Sequence, residues 1–192
     1  MRPESSPSRY LNLGRQLAQL LGAGLQEAAA ESLRELARAY DPSAHESRIN
    51  AEVFLFYKYL LVQACVGVFP DSETDHVVAG LFAALNERAT GLEFDAERQA
   101  AMERLWRQRA EQFDRPFAED RVQFLDEAPD ALHWKRTILQ FCQNVHEMAN
   151  PLDIWAGTDS PSQRASRSVT AILDQMISAI GEMKRLHFSG AV

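Results

Sequence analysis

The stretch VFLFYKYLLVQACVGVF, Val53–Phe69, decides the fold, because among its seventeen residues only Lys58 and Gln63 are strongly polar. Wound at about 100° per residue, its apolar side chains cover almost the whole circumference of a helix, and such a helix has to be surrounded by others. The pattern predicts a central, most buried helix over about residues 48–68. A membrane span is the competing reading. Seventeen residues with a lysine in the middle fall short of the roughly 20 apolar residues that a bilayer core requires.

On either side of this segment the chain is rich in helix formers. Ala (27) and Leu (21) far outnumber the β-branched Val, Ile and Thr, 21 residues together, which lose rotamer freedom in a helix. Leu13, Leu17, Leu20, Leu21, Leu25, Ala29, Leu33, Leu36 and Tyr40 recur at three- and four-residue spacing about Gly22-Ala23-Gly24. That is two helices or one kinked helix, ending at Asp41-Pro42. Ser47 is placed to cap the central helix, and Ser72 with Asp75 approximates a capping box for the next one, which Gly91 ends. Asp95 caps a further helix that Pro116 should stop or kink, with Phe117, Phe124 and Leu125 in a shorter one. Asp130 opens a helix closed by Asn150-Pro151, and Ser160-Pro161 starts the last, with its stripe of Val169, Ile172, Leu173, Met176, Ile180 and Met183. Between these two, Ile154 and Trp155 lie in the longest loop and are expected to dock.

The expected architecture is all-α, a single-domain bundle of six to eight helices over residues 8–188. Residues 1–7, with two prolines and little to bury, should be a disordered tail, and 189–192 a short C-terminal one. A chain of 192 residues buries enough surface to need no disulfide or metal staple.

Charge and motif narrow the functional classes. The net charge is -7, with basic residues scattered singly, which disfavours a nucleic-acid surface. Cys65 and Cys142 form no CxxC or zinc-spaced cluster, and MRPESSPSRY has no apolar leader region, so a reducing, cytoplasmic setting is expected. There is no GxSxG, no GxxxxGK[ST] and no GxGxxG; His146-Glu147 is followed by Asn150 where HExxH needs its second histidine. Cys142 and His146 sit one turn apart, and a packed thiol beside a hydrogen-bonded imidazole explains them better than half a metal site.

Two constellations remain. On the central helix Glu52, Tyr59 and Gln63 project within about 40° of one another, with Phe56 beside them. If neighbours cover that side, Glu52 is buried, needs a partner and marks an aromatic-walled ligand pocket; the plainer expectation is that this narrow side faces solvent. Lys58 projects elsewhere. The second is Glu73-x-x-His76, imitated by Asp130-x-x-His133, which loosely resembles the carboxylate and histidine pairs of di-metal bundles. Both pairs fall in first helical turns, where acidic residues are expected from the helix dipole alone. The acidic line Glu27, Glu31, Glu35 reads as a solvated face relieved by Arg34 and Arg38.

These observations support a non-enzymatic helical module that binds a small ligand or another protein, with no cofactor, nucleic acid or membrane expected. A metal-dependent bundle enzyme using Glu73, His76, Asp130 and His133 is the alternative. A homodimer is expected through the final helix, whose Arg164, Arg167, Lys184 and Arg185 could meet the acidic line.

Overall fold

The computed structural model describes residues 6–24, 28–91, 95–126, 134–146, 154–155 and 159–189. Among the described residues the chain is all-α, with seven helices and no strand. These are α1 (Ser6–Gly24), α2 (Ala28–Tyr40), α3 (Glu46–Val68), α4 (Asp71–Gly91), α5 (Ala96–Asp126), α6 (Lys135–Val145) and α7 (Pro161–Ser189). Contacts within the chain sort into two compact units. One comprises Met1–Ala23, Leu60–Arg104 and Leu173–Val192; the other Gly24–Tyr59 and Leu105–Ile172. The residues of α3, α5 and α7 are therefore divided between two cores.

The apolar segment behaves as its pattern dictates. Val53, Leu55, Phe56, Tyr57, Tyr59, Leu60, Leu61, Ala64 and Cys65 of α3 are all buried. By length and composition α3 is the one described helix that could cross a membrane, and burial inside the protein accounts for its hydropathy.

Several helix boundaries differ from expectation for identifiable reasons. Ser6 and Pro7 already belong to α1, where a proline in the first turn loses no helical hydrogen bond. Residues 1–5 and 190–192 lie outside the described residues, and Ser189 ends α7. At the start of α3 the imidazole of His45 accepts from the Ser47 amide, so the cap is His45 and not Ser47. The start of α4 is tied by Thr74, whose hydroxyl donates back to the carbonyls of Phe69 and Pro70, in place of the Ser72–Asp75 box. Asp95 does cap α5, accepting from the Arg98 amide at 2.8 Å. Ser160 caps α7 through the Gln163 amide, with Pro161 in the first helical position. Ile154 is fully buried and its carbonyl accepts from Ser162, so this part of the loop docks as expected.

Pro116 does not end its helix. α5 runs through it to Asp126, replacing the break and second short helix expected there. An interior proline costs about 3 kcal/mol, but Phe113 and Phe117 on either side are both buried, each contributing about 1.5–3 kcal/mol in return. Phe56 and Tyr59 lie against Phe113, and Tyr59 and Trp134 against Phe117.

The expected start of the next helix at Asp130 lies outside the described residues. α6 begins at Lys135 behind Trp134, whose φ of 58° is unusual for a bulky residue. Its ring is held by stacking on Phe117 at 4.9 Å, and its indole N–H donates to Thr170. No side chain of α6's own entry caps it. The cap comes from Asp120 of α5, a buried carboxylate that accepts from the amides of Arg136 and Thr137 and from the Thr137 hydroxyl at 2.7 Å. Asp120→Ala removes a helix cap and strands a buried hydroxyl, so a loss of about 2–3 kcal/mol is expected in urea denaturation. Asp120→Asn keeps one acceptor and should lose less; equal losses would refute the capping role.

Most of the stripe on α7 is covered within the chain: Val169 and Ile180 are fully buried and Met176 is 7% exposed, whereas Met183 is half-buried. Met176 is therefore core and not an outward contact. The acidic line is likewise matched internally. Glu31 pairs with Arg34 and Arg38, Arg38 turns to Glu46 instead of Glu35, and Glu35 meets Arg164 at 3.6 Å. Glu27 lies outside the described residues.

Candidate functional site

Glu52 and Tyr59 of the central polar line are buried, against the plainer expectation that the line faces solvent. Glu52 is 3% exposed, because α5 brings Arg109 onto it. The guanidinium grips the carboxylate with two nitrogens, Nη2 at 2.6 Å and Nε at 2.9 Å, and donates a further bond to Gln112. This fork geometry is what makes a buried carboxylate tolerable. Lys58 points away, its ammonium 4.3 Å from the centre of the Trp106 ring.

The other residues of that line do not form the aromatic-walled pocket. Phe56 is fully buried between Phe113 and Phe141. Tyr59 is buried and donates to Asp114 at 3.2 Å; burial and the nearby Asp114 raise its phenol well above the ordinary range, so it stays protonated. Gln63 is half-buried in the α3 segment that belongs to the other unit. Of the four, only Glu52 reaches the neighbourhood of a cleft, and it does so through Arg109.

That cleft, of about 510 Å³, lies in the unit formed by Gly24–Tyr59 and Leu105–Ile172. α3 contributes Arg48, one turn before Glu52; α5 contributes Arg109 and Gln112; α6 contributes Gln140, Gln143 and Asn144; and His146 closes the row. Among the described residues every lining side chain carries a polar group. The arrangement follows from helix periodicity. On α6, Ile138, Phe141, Cys142 and Val145 are buried, leaving Gln140 and Gln143 on the opposite side. Both arginines reach towards the C-terminal end of α6, Arg48 donating to the Asn144 carbonyl at 3.3 Å and Arg109 at 3.5 Å. Cations there satisfy the carbonyls that a helix leaves without partners.

Asn144 is the residue that sets this cleft apart from an ordinary polar surface. It is 4% exposed. Gln140 donates to its Oδ1 at 3.0 Å, but its Nδ2 is buried and has no hydrogen-bond partner. A buried donor left unmade costs about 1–3 kcal/mol, so a partner from outside the chain would be welcome there. His146 stands 3.0 Å from Asp41 but is poorly aligned with it. The Ser43 hydroxyl and amide, with His146 nearby, hold the Asp41 carboxyl below the usual carboxylate range.

Neither thiol is activated. Burial pushes Cys65 up to about 12 and raises Cys142 as well, so both are inert at neutral pH. Cys142 is packed in the core as expected, and His146 is turned to Asp41. As for the metal constellation, Asp130 and His133 lie outside the described residues. Glu73 is 3.7 Å from the Lys184 ammonium and close enough to Tyr10 to raise its phenol, and its Oε2 is buried without a hydrogen bond among the described residues. Among the described residues no group of three or more His, Cys, Asp or Glu could hold a metal ion.

Comparison with protein-family models, curated proteins and solved structures returns no match.

Proposed function

We propose that the chain is a non-enzymatic helical module that binds a small polar molecule in the cleft between α3, α5 and α6. The observation that carries this reading is a cleft lined, among the described residues, by polar side chains, one of them Asn144, whose buried Nδ2 has no hydrogen-bond partner among those residues. Ligand sites fix orientation with a few convergent polar groups, and a volume of about 510 Å³ suits a metabolite-sized molecule. Both thiols stay protonated, which favours binding over thiol catalysis. Unpaired, buried cysteines suit a reducing, cytoplasmic setting.

The test is a panel of sugars, amides, nucleosides and organic acids followed by two-dimensional amide NMR. Saturable movement of the side-chain amide signals of Gln112, Gln143 and Asn144 is expected with at least one class. Failure of every class to move them, or movement confined to other parts of the chain, would overturn the reading.

A further inference from the structure

We infer that the ligand of this cleft is a small monocarboxylate with a polar body, held between Arg48 and the buried amide of Asn144. The inference rests on the reading of the cleft as a ligand site and goes on to the chemistry of the ligand.

Charge decides first. Arg109 is already neutralised by the two-pronged grip on Glu52, and His146 faces the carboxylate of Asp41. Arg48 is exposed and makes one long bond, 3.3 Å, to a neutral carbonyl, with no carboxylate within ion-pairing distance among the described residues. Among the described residues, one uncompensated cation therefore faces the cleft. That count matches a monoanion, whereas a phosphate dianion would leave one charge unmatched in a site that is partly withdrawn from water.

Shape and donor type decide next. A guanidinium presents parallel N–H groups that fit a planar carboxylate, and Asn144 Nδ2 offers a further donor that no acceptor among the described residues takes. The body of the ligand has to be polar. Gln112, Gln140 and Gln143 line the space with amides that both donate and accept, and among the described residues the lining side chains all carry polar groups.

Four probes separate these elements in calorimetric and NMR titrations at mildly alkaline pH, where inorganic phosphate is a dianion: gluconate, hexanoate, glucose and inorganic phosphate. Gluconate is expected to bind saturably and to move the Asn144 Nδ2 proton signals, with affinity at least ten-fold above the other three. Arg48→Met, which removes an exposed side chain and should leave the circular dichroism spectrum unchanged, is expected to weaken gluconate at least ten-fold. Equal binding of glucose or phosphate would overturn the charge argument, and equal binding of hexanoate the argument for a polar body. Gluconate affinity unchanged in Arg48→Met would overturn the site. If neutral compounds of the wider panel occupy the cleft while gluconate does not, the carboxylate inference falls and the ligand-binding reading stands. If nothing enters the cleft, both fall.

Discussion

Arg109→Met is expected to destabilise the protein by about 3–5 kcal/mol, because it leaves the Glu52 carboxylate buried without its partner. Most of that loss comes from the stranded charge and not from the value of the pair itself. One consequence distinguishes this account from a simple packing defect. The double variant Glu52→Met with Arg109→Met should recover most of the lost stability, since replacing both members of a buried pair by apolar groups of similar volume is often neutral. Chemical denaturation of the wild type and the two variants measures the loss and its recovery. A double variant no more stable than Arg109→Met would refute the stranded-charge explanation.

The second large effect is expected at two glycines in the unit that contains α1 and α4. A Cβ on Gly14 would stand 1.9 Å from the Val77 carbonyl oxygen and 2.8 Å from the Leu81 amide nitrogen. One on Gly80 would stand 2.1 Å from the Leu11 carbonyl oxygen. All three atoms are backbone, so no side-chain rotation relieves the clash and the two helices must move apart. Glycine to alanine inside a helix ordinarily stabilises by about 0.5–1 kcal/mol. Here the sign reverses, and each of Gly14→Ala and Gly80→Ala should cost about 3 kcal/mol, at the upper end of overpacking. The two losses should add to less than their sum, because either one already separates the same pair of helices. Gly67→Ala on α3 and Gly181→Ala on α7 meet nothing within 4 Å and are the controls. Thermal unfolding of the four variants is the measurement, and a stable Gly14→Ala protein would show that the helices tolerate a wider spacing.

The candidate site divides along similar lines. Glu52 could be read from the chain as a carboxylate that would need a partner if covered, because it stood on an almost wholly apolar helix. The partner could not be read, since Arg109 is 57 residues away and sits among arginines and glutamates that resemble any solvated helix face. The amides of α6 were hidden for the same reason. Gln140, Gln143 and Asn144 lie at the spacing of a polar face, and only the burial of Asn144 beneath two arginines turns that face into a cleft. Phe56 and Tyr59 show the converse: their spacing was legible, but the aromatic rings of α5 and α6 fill the space that a pocket would have needed.

Local physics determined the elements by itself. Helix propensity, the all-round apolar pattern of Val53–Phe69, the break near Gly22-Ala23-Gly24 and the caps at Asp95 and Ser160 all act over a few residues, and all are present in the chain as written. Tertiary structure decided whatever depends on competition between distant groups. The burial of Phe113 and Phe117 overrode Pro116, Asp120 capped a helix that lacks a cap of its own, and Arg109 made a buried Glu52 tolerable. The physical reason is one of range: a backbone hydrogen bond or a rotamer preference is set by near neighbours in sequence. The cost of burying a charge or covering a ring is set by whichever segment folds against it.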